Sequence, residues 1–418
     1  MSISKILLLT AGLVITFSLA AWADCEGRIY GKITTVDGDV LEGLIRWDKN
    51  EGSWVDILNG EKELSRKNLR DVERQSPKKY SRRRAVKLFG IKIIDDDDGS
   101  VYTSWTNKAQ SGIRFGHIKS MEIIDDDAVL LTLKSGEEVE LQNYSTDIGT
   151  SIREIIIEDN REGELELVWD DIEKIDFMQA PSDVTSVFGN RLYGTLTTRR
   201  GEEYTGFVCW DIDELFANDV LDGEDNKRKR KIKFGNIKSI ERYSSSGATV
   251  ILDSGDEMVL RGTNDVNDDN RGIVISDPQL GDIQVEWDDF EKLEFKPAPK
   301  PVRYDAFDGG QPLKGTVYTE DGDSYKGNIR WDNDEEYTWE ILDGDERDVD
   351  FNVEFGMIKE IKKKSYRGSD VTLWDGRTFY LRGSNDVDED NKGIIVTLED
   401  DEDVVVDWDD FDRIVFSK

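Results

Sequence analysis

Two stretches place oxygen-bearing side chains at every second position. Residues 264–273 read NDVNDDNRGI and residues 385–394 read NDVDEDNKGI. Asp265, Asn267 and Asp269 in the first, and Asp386, Asp388 and Asp390 in the second, have the spacing of a calcium loop. Such loops surround a hard cation with side-chain and backbone oxygens. The bidentate Glu expected at the twelfth position is replaced by Ser276 and Thr397. An equivalent stretch nearer the N-terminus, TDIGTSIREI (146–155), keeps Asp147 but has Gly149 and Ser151 where ligands would stand. The competing chemistry is local, because Asn and Asp side chains accept hydrogen bonds from amides of their own loop. The residues favour such backbone caps, and calcium is the one cofactor they suggest.

Catalytic chemistry has little to work with. The single histidine, His117, has Asn236 and Met357 in its place elsewhere, so it has no repeated role and is expected to face solvent. The pairs Asp170–Asp171, Asp288–Asp289 and Asp409–Asp410 lie in equivalent turns and do not make one asymmetric acid–base site. No phosphate-cradling glycine motif and no Cys/His zinc spacing occurs. The chain is expected not to be an enzyme.

Basic residues are concentrated in two places. Segment 66–87 holds ten Lys and Arg against two acids, among them Lys78, Lys79, Arg82, Arg83 and Arg84. Lys227, Arg228, Lys229 and Arg230 form the second cluster. Either cluster is a neutralising loop or a contact for a protein or an anionic envelope polymer. Elsewhere the chain is acidic, with 90 Asp and Glu against 55 Lys and Arg and a net charge of −35, which repels nucleic acid.

The elements that must position these residues recur. RLYGTLTTRRGEEYTGFVCWD (191–211) returns as PLKGTVYTEDGDSYKGNIRWD (312–332) and appears first as RIYGKITTVDGDVLEGLIRWD (28–48). Trp210 and Trp331 are 121 residues apart, as are Trp287 and Trp408. The spacing predicts three repeats: 24–179 with a basic insertion at about 61–104, then 188–296, then 311–418. Pro- and Gly-bearing linkers, 180–186 and 296–312, separate them. Each repeat divides again into two halves. Gly-centred hairpins open each half, and endings such as VEFGMIKEI and VDWDDFDRI close it with strand, 3₁₀ turn, strand. Trp47, Trp210 and Trp331, and Trp169, Trp287 and Trp408, fall on the apolar phase and are expected in cores. Trp54, Trp105, Trp339 and Trp374 are not shared by all copies and are the better binding candidates.

The fold class is therefore all-β. The hairpin and the strand–3₁₀–strand ending of each half resemble the small SH3-like and Sm-like β-barrels, which implies two such barrels in each repeat. Fold likeness of this kind does not fix function.

The N-terminus has the form of a signal peptide, residues 1–23. Lys5 precedes an apolar run to Ala20, and Ala21-Trp22-Ala23 fits the cleavage rule. No transmembrane segment is expected after its removal, and the location is periplasmic or extracellular. An oxidising compartment makes a disulfide between Cys25 and Cys209 one option, with Cys209 expected on the outward phase of its strand. The sequence thus points to an exported, non-catalytic binding or structural repeat protein. One alternative is a calcium-stabilised adhesion or matrix protein. The other is a periplasmic enzyme with its site in the first insertion.

Overall fold

The structure is a computed structural model that describes residues 25–63 and 108–418. The expected signal peptide and the basic segment, with Lys78, Lys79, Arg82, Arg83, Arg84 and Trp105, lie outside the described residues. The fold is all-β, and every strand pair is antiparallel.

The first unit runs through β1 (Tyr30–Thr35), β2 (Val40–Trp47), β3 (Ile57–Glu63), β4 (Lys108–Arg114) and β5 (Ile118–Asp125). It continues with β6 (Ala128–Leu133), β7 (Glu138–Gln142), β8 (Ile155–Asp159), β9 (Gly163–Leu167) and β10 (Ile172–Phe177). Ten further strands, β11–β20, occupy 193–295, and ten more, β21–β30, occupy 314–416. Both sets repeat the pairings of the first, except that β13 (Val220–Asp225) and β14 (Arg228–Lys233) form a separate two-stranded sheet joined to the end of β17 (Glu257–Leu260) through the Glu224–Arg261 bridge. In unit one the sheet order is β4-β3-β7-β6-β5-β10-β1-β2-β8-β9.

This order differs from two barrels in succession. Two separate barrels need each half to return on itself, β5 onto β1 and β10 onto β6. The observed pairs are β10 with β1 and β5 with β6, and β5 with β10 joins the two groups. Each five-stranded group therefore takes its first hairpin from one half and its remaining strands from the other, as in domain swapping. The cause is local. Only Asp126 and Asp127 separate β5 from β6, and so short a link forces its flanking strands to pair with each other. A single core follows. Trp47 of the first half meets Trp169 of the second edge-on, with ring centroids 6.2 Å apart, and Trp210–Trp287 and Trp331–Trp408 repeat the contact at 6.3 and 6.1 Å. These six indoles are buried, as their phase predicts.

Units two and three join edge to edge. Strand β19 (Gly281–Val285) pairs with β24 (Val349–Glu354), so one sheet of 18 strands crosses both. Unit one docks by side chains instead. Buried ion pairs link Arg46 and Asp56 of unit one to Asp219 (3.0 Å) and Arg191 (3.0 Å) of unit two. Arg114 reaches Glu354 of unit three at 3.2 Å and donates to the carbonyls of Asp277 and Pro278 in unit two, so all three units meet at one guanidinium.

The second linker is not open chain. Tyr304 packs on Trp54 at 4.5 Å, Phe307 packs on His117, and Lys134 donates to the carbonyls of Tyr304 and Phe307. No helix among the described residues is long and apolar enough to cross a membrane.

Candidate functional site

Each unit builds the same polar site from two loops. The first loop follows the strand ending in the core tryptophan: WDKNE (47–51), WDIDE (210–214) and WDNDE (331–335). Two successive residues after each Trp have positive φ: Asp48 and Lys49, Asp211 and Ile212, Asp332 and Asn333. The chain then returns, and Trp47, Trp210 and Trp331 bridge to Glu51, Glu214 and Glu335. The second loop is the acidic stretch singled out in the sequence.

Three contacts tie the loops together in every unit. The indole N–H of Trp47, Trp210 and Trp331 donates to the backbone oxygen of Asp147, Asp265 and Asp386, at 2.8, 2.9 and 3.0 Å. The carboxylates of those three aspartates each accept a backbone N–H, from Asn59 (2.8 Å), Asp222 (2.6 Å) and Asp343 (2.9 Å). Asp48, Asp211 and Asp332, fully buried, are the hubs. Each accepts the backbone N–H of Arg153, Arg271 or Lys392 and pairs with the same residue's side chain at 2.9 Å.

The residues proposed as calcium ligands divide accordingly. Asp265 and Asp386 turn inward as caps, while Asp269 and Asp390 are exposed. The N–H of Asp269 donates to Asn267 Oδ1 at 2.9 Å, and that of Asp390 donates to Asp388 Oδ1 at 3.0 Å. Gly272 and Gly393 donate to Asn270 and Asn391 in the same way. These are Asx turns.

A tighter oxygen cluster lies one loop away and was missed from sequence. Carboxylate oxygens of Asp211, Asp213 and Glu214 lie within 4.8 Å of one another. In unit one Glu51 Oε2, and in unit three Asn333 Oδ1, Asp334 Oδ1 and Glu335 Oε2, are buried without a hydrogen bond. Burial, then the neighbouring acids, pushes Glu51 and Glu335 well above the usual carboxylate range. Burial likewise pushes Asp147 to about 7 and Asp265 to about 6. Such sites accept a proton or a hard cation. The signal was readable, since Trp-Asp-x-Asp/Asn-Glu occurs three times in register.

Other expected sites are placed differently. No bridge joins Cys25 and Cys209. Cys25 lies in the core of unit one, and Cys209 is buried with Leu215 and Phe216. Its outward face is covered because unit one lies over it: Arg28 stacks on Phe216 at 3.9 Å, and Gly52 abuts the same ring. Burial raises the Cys209 thiol pKa well above its usual value, which suppresses the reactive thiolate. His117 does not face solvent. It is buried between units one and three, accepting the Gly309 N–H at 3.1 Å, with Nε2 3.5 Å from Glu354. Trp54 and Trp339 are buried, so of the described binding candidates only Trp374 retains a partly open face.

Lys227 lies in a tight turn, and Arg228, Lys229 and Arg230 follow on the exposed strand β14 (Arg228–Lys233). A cleft of about 490 Å³ lies where units two and three meet. Its cations are engaged, Arg200 with Asp348, Arg347 with Glu202, Lys364 with Asp370 and Arg382 with Asp345.

Comparison with known proteins gives no match to a family model, to a curated protein or to a solved structure.

Proposed function

We propose that this is an exported, non-catalytic structural or binding repeat protein of the periplasm or cell surface. The observation that carries the proposal is where its buried charges go. Arg46, Arg191, Arg114 and Lys62 each cross between units to an acid, Asp219, Asp56, Glu354 and Glu340. Such charges hold three units in one fixed arrangement, at a desolvation cost that good geometry offsets. The alignment of units is what a scaffold needs, whereas catalysis needs titratable groups gathered around a substrate.

The test is cross-linking and co-purification from the native envelope. The expected result is recovery of the processed chain there with a stable macromolecular partner. Recovery from the cytosol with its leader intact would overturn the location. Turnover of a small-molecule substrate by the purified chain would overturn the non-catalytic role.

A second reading, a calcium-stabilised adhesion or matrix protein, is favoured by the unpartnered buried oxygens of Glu51, Asp334 and Glu335. Oxygens from the first loops, not the alternating acids, would hold the ion. Affinity of about 10⁻⁴–10⁻³ M is expected, as in extracellular calcium modules. Calorimetric titration with calcium should then give heat that Glu335→Gln reduces. No heat, with the same melting temperature in chelator, removes this reading.

A further inference from the structure

The junction between units two and three has two counterparts left open. Strand β24 is covered by β19, in the register Asp282↔Asn352, Ile283↔Phe351 and Gln284↔Asp350. The 121-residue period identifies β14 as the unit-two counterpart of β24, and β29 (Asp403–Val406) as the unit-three counterpart of β19. Among the described residues, β14 pairs only with β13 (Val220–Asp225), and β29 pairs only with β28 (Ile394–Thr397). Each therefore offers a row of backbone donors and acceptors to another chain.

The two open edges carry opposite charge. Strand β14 reads RKRKIK, and its first four side chains are exposed. The turn leading into β29 reads EDDED (399–403) and continues as VVVD, with Val405 45% exposed on the edge. Lysine-rich edges repel their own kind, but these two edges attract each other. We propose that the β14 edge of one molecule takes the β29 edge of a second copy of this chain, through the pairing that already joins units two and three.

Side chains around the internal junction support this position by position. There Arg200 pairs with Asp348 at 2.6 Å. Their counterparts across the new junction are Asp321 and Lys227, so both signs reverse and the attraction is kept. Tyr204 packs edge-on against Phe351 at 5.8 Å. Their counterparts are Tyr325 and Arg230, an aromatic ring facing a guanidinium, which is a favourable cation–π pair. In the same register Asp403 lies opposite Lys231, and Val405 lies opposite Lys229.

One position departs from the template. Gly281 has φ +146°, and a Cβ there would lie 1.9 Å from the Asn352 oxygen. Glu402 stands in its place, so the new ladder begins at Asp403. Strand β9 is the unit-one counterpart of β19 and also ends a sheet, with Glu164 and Glu166 exposed. It has buried Leu41 where Tyr325 stands, and so offers Arg230 no ring. The junction is heterologous, and repeating it gives an open chain of molecules rather than a closed dimer.

The test is sedimentation velocity of the chain as its host processes it, over rising concentration. At an ionic strength of ~0.05 M the mass should grow with concentration, and at ~0.5 M it should return to monomer, because exposed charges are then screened. Lys229→Glu with Lys231→Glu in β14, or Asp403→Lys with Asp321→Lys on the unit-three side, should each weaken association about tenfold or more. Mixing the two blocked proteins should restore it, since one keeps a native β14 and the other a native β29; misfolded variants would not do this. A wild-type chain that stays monomeric at every concentration overturns the proposal. So does assembly abolished by Glu164→Lys with Glu166→Lys but untouched by the β29 changes. Binding of a polyanion such as heparin through β14, with no self-association, would assign that edge to another partner.

Discussion

The loop at 146–153 in unit one and its counterpart at 264–271 in unit two differ at two of the three acidic positions, yet make the same bonds. Unit one has Gly149 and Ser151 where unit two has Asn267 and Asp269. In both, an Asp accepts an amide from an earlier hairpin, and a buried tryptophan donates to that Asp's carbonyl. In both, the hub aspartate after the tryptophan binds the Arg that ends the loop. The alternating acids are thus dispensable to the loop's shape, and the hub is common to all three units.

The largest effect should come from the hubs. Asp48→Ala, Asp211→Ala and Asp332→Ala each remove a buried carboxylate that accepts a backbone amide and a cation. The cations are partly exposed, with 24% of Arg153, 41% of Arg271 and 31% of Lys392 accessible, so they regain some solvation. A loss of about 2–4 kcal/mol is expected for each in urea unfolding. Asp269→Ala and Asp390→Ala, on the exposed side of the same loops, should cost about 0.5 kcal/mol or less. Equal costs for hub and rim would break the distinction.

The next effect is a dependence on pH. Asp147 and Asp265 have folded pKa values raised to about 7 and about 6, and Glu51 and Glu335 are raised well above their usual range. A carboxyl with a raised folded pKa holds more protons folded than unfolded. Its destabilising contribution is fully present above the folded pKa and is relieved as pH falls through that value toward the unfolded one. Stability should therefore rise from about pH 8 to about pH 5. Below that the sign changes for Glu354, whose burial is outweighed by Arg114 and His117, which hold its pKa below the usual carboxylate value. Urea midpoints across this range should peak near pH 5, and Glu51→Gln with Glu335→Gln should flatten the slope. A flat wild-type profile would falsify the assignment of these groups as buried and unneutralised.

Much of the fold was legible in the sequence, because hairpin glycines and tryptophan phase are local signals. Gly38, Gly201 and Gly322 sit in their turns at φ near +90°, and the six repeated indoles are buried. What escaped was which strand pairs with which. Each half alone satisfies a barrel pattern, and only the two-residue link between β5 and β6 shows that the halves exchange. The fates of His117 and Cys209 escaped for a different reason. Both lie on outward phases of their own units and are buried only because another unit covers them. Single-repeat periodicity carries no information about such docking. In the candidate site, Asp265 and Asp386 were found through a calcium pattern but serve as caps, whereas the Glu51 and Glu335 clusters were readable only by aligning the three WD loops.

The smallest effect separates the three hubs from one another. The residue after each hub has a positive φ: Lys49 at 70°, Ile212 at 57° and Asn333 at 74°. Asparagine is enriched in this left-handed region, although the Asn333 amide finds no hydrogen-bond partner among the described residues, and lysine pays the ordinary cost. A β-branched isoleucine is the outlier, since both branches crowd the backbone. Its carbonyl accepts Arg153 Nη1 at 3.0 Å, a backbone contact that any residue can supply. Unit two therefore carries strain that unit three avoids at the same position. Ile212→Asn should stabilise the chain by about 0.5–1 kcal/mol, and Asn333→Ile should destabilise it by about the same amount. Urea unfolding of both variants and of the exchange of the two residues checks this. If Ile212→Asn instead lowers stability, the half-buried isoleucine contributes more through packing than its backbone costs, and the three loops are equivalent in their hydrogen bonds but not in their energetics.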